Sequence, residues 1–66
     1  MNRSEIAKDL RQFVGAGMIS AKELAAFMNR KSVWRVKQDY LVGLEKIGNK
    51  YFVTDVAARL KERCVL

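Results

Sequence analysis

The 66-residue sequence has no histidine, no proline and one cysteine, Cys64. Without histidine, the chain lacks the residues of Ser-His-Asp and Cys-His catalytic sets and of the common zinc sites. A single cysteine excludes an intrachain disulfide and zinc motifs built on cysteine pairs, so we expect Cys64 to be a small buried apolar residue near a helix end. A chain this short also has too small a core for a deep catalytic cavity. We therefore expect no enzymatic activity, no metal and no cofactor.

Nothing in the sequence divides the chain, since proline, repeats and low-complexity segments are absent, and we expect one domain over residues 1–66. Long apolar runs are also missing, whereas a membrane span needs roughly 20 such residues. The first turns carry Glu5 and Asp9 and contain no signal-peptide core. We expect an intracellular protein without a membrane partner.

Positive charge is what the sequence has in excess. Thirteen Lys and Arg residues oppose seven Asp and Glu residues, which gives a net charge of +6. Six positive and two negative residues lie between Arg30 and Lys50, so this third of the chain carries +4 of that total. Such a balance favours a polyanionic partner, either nucleic acid or an anionic membrane surface.

Hydrophobic periodicity predicts four helices and one β-hairpin. The predicted helices run from about Arg3 to Val14, from Ser20 to about Met28, from Lys31 or Ser32 to about Tyr40, and from Thr54 or Asp55 to about Arg63. The order helix, helix, helix, hairpin, helix describes a mainly α chain with a small β-hairpin, in outline a winged helix-turn-helix.

Capping residues support these boundaries. Asn2 with Glu5 and Ser20 with Glu23 have the spacing of capping boxes. Gly15 suits the left-handed position just past the first helix. Asn29 is the expected end of the second helix, because asparagine tolerates positive φ.

The apolar residues at helical spacing are expected to form the core. They are Ile6, Leu10, Phe13 and Val14 in the first helix, Leu24, Phe27 and Ala25 or Met28 in the second, Val33, Val36 and Tyr40 in the third, and Val56, Leu60 and Cys64 in the last. Met18 and Met28 are expected to fill gaps in this core.

After Tyr40 the hydrophobic period becomes close to two. The segments Leu41–Ile47 and Lys50–Val53 flank Gly48-Asn49, which suits a two-residue hairpin turn. With that turn the expected pairs are Leu44 with Val53, Lys46 with Tyr51, and Ile47 with Lys50. A three-residue loop shifts this register, and the sequence alone leaves both open.

Ten residues are predicted to contact double-stranded DNA, because they lie at the start and outer side of the third helix or on the hairpin. They are Arg30, Lys31, Ser32, Arg35, Lys37, Gln38, Lys46, Asn49, Lys50 and Tyr51. A helix enters the major groove by its N-terminal end, and a hairpin beside it can follow the backbone or the minor groove. The positive charge thus coincides with both elements that face DNA in this fold.

Roles within the third helix follow from side-chain chemistry. The candidates for base edges are Arg30, Lys31 and Arg35, with arginine best suited to guanine, and Gln38 for adenine. Ser32 and the helix N-terminus are suited to a phosphate, and Lys37 is expected to bind one as well.

On the hairpin, Lys46, Asn49 and Lys50 are predicted wing contacts. Tyr51 either supports the wing or stacks along the DNA backbone. Trp34 adjoins the apolar stripe of the third helix, so we expect it in the core or in a subunit interface rather than against DNA.

Three segments carry a resemblance to a known family. Ile19–Met28 is similar to the family's opening helix after a short strand, Lys46–Val53 to its basic, glycine-tipped wing, and Asp55–Leu60 to its closing helix. Ser32–Val36 takes the place of the recognition helix. Over residues 18–63 the chain resembles the excisionase-like, MerR-related winged helix-turn-helix domains of phages, plasmids and integrative elements, and residues 1–17 form an additional N-terminal helix.

The resemblance implies a double-stranded DNA-binding factor without catalysis of its own, cytoplasmic or nucleoid-associated and encoded by a phage or plasmid. Excisionases of this kind bind repeated sites cooperatively, bend DNA and bias a tyrosine recombinase, an expected partner, towards excision. One recognition helix per monomer implies a homodimer or a cooperative array on DNA. The N-terminal helix and Trp34 are the surfaces expected to serve that assembly.

Two alternatives remain open at this stage. The first is a small transcriptional regulator, a repressor of a mobile-element operon, which the sequence does not separate from an excisionase. The second is a protein-interaction module that keeps the winged fold without binding DNA, for which a neutral third helix is expected instead of a basic one.

Overall fold

In the computed structural model, which describes residues 3–64, helices pack around a small antiparallel sheet. The elements in chain order are α1 (Arg3–Val14), β1 (Met18–Ser20), α2 (Ala21–Phe27), α3 (Val33–Val36), a π-helix (Lys37–Leu41), β2 (Lys46–Ile47), β3 (Lys50–Phe52) and α4 (Val53–Cys64). The prediction of a mainly helical chain with a small β element is confirmed. The predicted cap Asn2 and the predicted burial of the Cys64 side chain lie outside the described residues.

The predicted end of the first helix and the predicted start of the second are confirmed. Gly15 follows α1 with a φ of +74°, and its N–H donates to the carbonyl of Arg11 at 2.7 Å. The capping box at the start of α2 is complete: the N–H of Glu23 donates to Ser20 Oγ at 3.1 Å, and the N–H of Ser20 donates to Glu23 Oε1 at 2.9 Å. These local signals begin and end helices without help from distant residues.

The sheet has the order β1-β3-β2, so β3 is central. In the hairpin, Lys46 pairs with Tyr51 and Ile47 with Lys50, which confirms the two-residue turn at Gly48-Asn49. Gly48 has a φ of +63°, the conformation that a glycine at the first central position of such a turn allows. The element order predicted by periodicity does not include the third strand, β1. It lies where the family resemblance implies a short strand before the opening helix.

The prediction that a strand begins at Leu41 is wrong. Leu41 ends the π-helix, and both Tyr40 and Leu41 are buried together with Val36. Hydrogen bonds between residues five apart widen the helix, which brings Leu41 as well as Tyr40 to the side of Val36. The predicted third helix therefore extends one residue further, with its second half in the π form.

A type II turn then replaces the first half of the predicted strand. Val42 has φ −63° and ψ 128°, and Gly43 has a φ of +85°. The N–H of Leu44 donates to the carbonyl of Leu41 at 3.2 Å. These angles and this bond are those of a type II turn with glycine at its third position.

The expected pairing of Leu44 with Val53 is also wrong, as is the expected start of the last helix at Thr54 or Asp55. The N–H of Val53 donates instead to the carbonyl of Gly17 at 3.0 Å, next to β1. Val53 is fully buried and is the first residue of α4. Val53 thus continues the pairing of β3 towards the β1 side, and Leu44 belongs to the turn before the hairpin.

The core lies between α1, α4, α2 and the sheet, and α1 packs along α4. Its buried residues are Ile6, Ala7, Leu10, Ile19, Ala21, Leu24, Ala25, Val36, Tyr40, Leu41, Tyr51, Val53, Val56, Ala57 and Leu60. Val14, Phe27, Met28 and Val33 are partly buried against it. The N-terminal helix is therefore part of this core.

Two predictions of burial need correction. Phe13 is 51% exposed, because it lies at the edge of α1 and packs edge-to-face on Phe27 with ring centroids 5.4 Å apart. Trp34 is 66% exposed and is not a core residue, because the inner side of α3 is occupied by Val33 and Val36. Within residues 3–64 there is no helix with both the length and the apolar character needed to cross a bilayer.

Candidate nucleic-acid interface

The end of α2 holds Arg30 in place through a Schellman motif. Asn29 takes a left-handed φ of +57°, as its sequence position predicts. Its N–H donates to the carbonyl of Ala26 at 3.1 Å, and the N–H of Arg30 donates to the carbonyl of Ala25 at 2.8 Å. Both bonds satisfy carbonyls that the helix end leaves free. The chain therefore leaves α2 in one direction, with Arg30 as the first residue beyond the motif.

The side chain of Arg30 is held as well as its backbone. Its guanidinium donates to the hydroxyl of Tyr40 at 3.0 Å and lies 5.7 Å from the centroid of the Tyr40 ring. Tyr40 is buried, whereas Arg30 is exposed. A guanidinium has five N–H donors, so this contact orients Arg30 and leaves donors for a ligand. The sequence predicted a DNA contact at Arg30 but placed Tyr40 only in the core.

The short helix α3 begins directly after these residues. Ser32 caps it, since its Oγ accepts a hydrogen bond from the N–H of Arg35 at 3.2 Å. The other predicted contacts in this region are Lys31, Arg35, Lys37 and Gln38, and all four are exposed. We call Arg30, Lys31, Arg35 and Lys37 the helix cluster. The side chains of its last three members make no hydrogen bond or ion pair with the residues that the structure describes.

The hairpin carries the remaining predicted residues. Lys46, Asn49 and Lys50 are exposed, and we call Lys46 and Lys50 the hairpin cluster. Tyr51 is only 7% exposed and belongs to the core. Of the two roles expected for Tyr51, support of the hairpin fits this burial, and stacking along a DNA backbone does not.

Lys50 has an acidic partner, unlike Lys46. Its Nζ lies 3.6 Å from Glu23 Oε1, and Lys50 stands opposite Ser20 in the β1–β3 ladder. The N–H of Ser20 is the main cause that lowers the pKa of Glu23 from its ordinary value, with a smaller contribution from the positive charge of Lys50 and a partial opposing effect of burial. The hairpin is thus fastened to the start of α2, and part of the charge of Lys50 is neutralised.

The helix α2 links the two clusters. Its first turn contacts Lys50 through Glu23, and its end carries Arg30 through the Schellman motif. Seven residues at 1.5 Å per residue span about 10 Å, whereas the molecule measures 25 × 24 × 22 Å. Along the axis of α2, Arg30 and the contact between Glu23 and Lys50 are therefore separated by less than half the width of the molecule.

Two arginines of α4 fix the end of the π-helix, and sequence analysis missed this role. Arg59 Nη1 donates to the carbonyls of Val42 at 2.7 Å and Tyr40 at 3.4 Å. One turn further on, Arg63 Nη1 lies 3.5 Å from the carbonyl of Asp39. These carbonyls are the ones that a helix end leaves without intrahelical partners. The spacing of two arginines four residues apart is a weak signal, because it does not indicate which carbonyls they meet.

A shallow hollow lies apart from these clusters. It has a volume of about 300 Å³ and is lined by Ser4, Ala7, Arg11 and Thr54, between α1 and the start of α4. It contains none of the ten predicted DNA contacts.

Comparison with known proteins adds no relative: no protein-family model, curated protein or solved structure matches the chain.

Proposed function

We propose that the protein binds double-stranded DNA as a winged helix-turn-helix factor. In this proposal α2 and α3 form the helix-turn-helix, α3 enters the major groove, and the β2–β3 hairpin is the wing. The observation that carries the proposal is that Lys31, Arg35, Lys37 and Lys46 are exposed and have no acidic partner within residues 3–64. Exposed cations without acidic partners are what a polyanion recognises.

The placement of the two clusters supports the same partner. Lys50 of the hairpin cluster contacts the first turn of α2, and Arg30 of the helix cluster follows its end. One cluster at the groove and the other at the flanking backbone is the arrangement that a helix with a neighbouring wing requires. A partner with one isolated negative charge contacts only one of the two clusters.

Each basic residue has a distinct role in this proposal. Arg35 and Arg30 are the candidates for base edges, since a guanidinium makes two parallel bonds to guanine. Lys31, Lys37 and Lys46 bind phosphates. Lys50 contributes less than Lys46, because Glu23 already neutralises part of its charge.

Salt dependence of binding tests the proposal. A fluorescein-labelled duplex of mixed sequence is titrated with the protein at several salt concentrations, and the anisotropy gives the affinity. If four to six phosphates are neutralised, the logarithm of affinity falls against the logarithm of salt with a slope of roughly −4 to −5. Absence of binding, or a flat response to salt, overturns the proposal and favours a protein-interaction module.

Matched lysine variants locate the surface. Lys46→Ala is expected to make the slope of affinity against salt shallower by about one for all DNA sequences. Lys50→Ala is expected to change this slope by less. Lys8→Ala is the control, because Lys8 is exposed on α1 and belongs to neither cluster. An effect of Lys8→Ala equal to that of Lys46→Ala shows that the surface has been misplaced.

The family resemblance extends the proposal to a biological role, an excisionase-like architectural factor in site-specific recombination that acts beside a recombinase. The alternative is a small repressor of a mobile-element operon. Selection of bound sites from random duplexes tests both, since direct repeats favour a cooperative array and inverted repeats favour a dimeric regulator.

A further inference from the structure

Trp34 leaves a large apolar surface in water. At 66% it is the most exposed of the large hydrophobic side chains for which exposure is described, ahead of Ile47, Val42 and Phe13. Aromatic side chains contribute most to cores and interfaces because of their large area. The exposed indole is therefore available to a partner surface.

The surroundings of Trp34 are cationic. The N–H of Lys37 donates to the carbonyls of Val33 and Trp34, so residues 33–37 keep helical spacing and Lys37 lies about one turn beyond Trp34. Arg35 follows Trp34 directly, and both Arg35 and Lys37 are exposed. Neither of these two side chains forms an ion pair with any residue that the structure describes. Lys37 thus shares a helix face with Trp34, and Arg35 lies on the adjacent face.

This charge argues against a second copy of the chain as the partner. In a two-fold dimer the same patch of both copies meets, so a dimer centred on Trp34 brings Arg35 and Lys37 of both copies into one interface. Opposed like charges in a desolvated interface are strongly unfavourable. An apolar side chain next to cations is complementary instead to a partner whose apolar groups lie next to negative charges.

From this complementarity we infer that Trp34 is a DNA contact, with its indole against base edges and deoxyribose in the groove that receives α3. The inference rests on the proposed function and assigns Trp34 a part in it. Duplex DNA offers thymine methyl groups and sugar carbons between phosphates. Arg35 and Lys37 then flank the indole on the negatively charged part of the same surface.

The emission of Trp34 tests the inference directly, because the sequence has one tryptophan. The protein is titrated with a mixed-sequence duplex while tryptophan emission is recorded, and anisotropy of a labelled duplex is measured in parallel. We expect emission to be quenched or shifted to the blue with the midpoint given by anisotropy. Binding seen by anisotropy without any change in emission overturns the inference and leaves the proposed function standing. Absence of binding in the anisotropy arm overturns the proposed function, and the inference with it.

Variants and sedimentation provide the second test. Trp34→Ala is expected to weaken DNA binding about tenfold or more, as truncation of an aromatic anchor does, and Trp34→Phe less. Val42→Ala, at another exposed apolar residue, is expected to stay within about twofold. Emission that shifts with protein concentration in the absence of DNA, together with a sedimenting dimer that Trp34→Ala abolishes, identifies a second copy as the partner and overturns the inference.

Discussion

Arg30 and Tyr40 are ten residues apart in sequence, and the hydroxyl of Tyr40 accepts a hydrogen bond from the Arg30 guanidinium at 3.0 Å. The ring of Tyr40 also lies 5.7 Å from the guanidinium carbon. The contact joins the end of α2 to the π-helix across the whole of α3. An exposed cation is thereby held by a buried side chain.

Replacing Tyr40 with phenylalanine tests whether this contact positions Arg30. Tyr40→Phe keeps the ring and removes the hydroxyl, so we expect about threefold to tenfold weaker DNA binding, the equivalent of one hydrogen bond of ~1 kcal/mol. Anisotropy of a labelled duplex measures it. Lys8→Ala is the control, because Lys8 is exposed on α1 and belongs to neither cluster. Wild-type affinity of Tyr40→Phe, with weakened binding of Arg30→Ala, shows that Arg30 acts without Tyr40.

The pKa of Glu23 predicts how stability depends on pH. Because the pKa is lowered in the folded protein, the ionised carboxylate stabilises the fold above its ordinary pKa of 4.5. That contribution is lost as the pH falls below 4.5 through the lowered value. The difference in Tm between the wild type and Glu23→Gln is therefore expected to shrink as the pH is lowered from neutral to about 3.

A second variant separates the two groups that lower this pKa. Lys50→Met removes the ion pair and keeps the hydrogen bond from the Ser20 N–H, which is the larger cause. Lys50→Met is expected to retain most of the pH dependence that Glu23→Gln loses. Equal losses in the two variants contradict the role given to Ser20.

Replacing Asn29 with alanine and replacing it with glycine are expected to change stability in opposite directions. At a φ of +57°, a residue with a Cβ is destabilised by about 1–2 kcal/mol. Asparagine offsets part of this cost, and alanine does not. Asn29→Ala is expected to lower the free energy of unfolding by about 1 kcal/mol, and Asn29→Gly to leave it unchanged or raise it. Urea unfolding measures both variants. A loss in Asn29→Gly as large as that in Asn29→Ala contradicts the left-handed conformation.

The two arginines of α4 are expected to differ in their effect on stability. Arg59 has a side chain that is 17% exposed and donates to two carbonyls. Arg59→Met is expected to cost about 1.5–3 kcal/mol, as for hydrogen bonds to a charged group. Arg63 is exposed and makes one long contact, so Arg63→Met is expected to cost less than about 0.5 kcal/mol. Equal midpoints of urea unfolding for the two variants contradict this assignment.

The sequence alone determined the features that depend on near neighbours. The capping box at Ser20 and the left-handed residues Gly15 and Asn29 were predicted and are confirmed, and of the two hairpin loops that the sequence left open at Gly48 the structure has the two-residue turn. Each involves residues at most a few positions apart, so its free energy does not depend on the rest of the fold. The exposure of the basic residues was also predicted, because charged side chains remain in water unless they are paired.

Only the tertiary structure decided the features that depend on distant contacts. Gly17 accepts a hydrogen bond from the N–H of Val53, Arg59 holds the end of the π-helix, and Glu23 neutralises part of the charge of Lys50. Val33 and Val36 fill the inner side of α3, which leaves Trp34 outside. In each case the packing of elements far apart in sequence determines which groups come into contact.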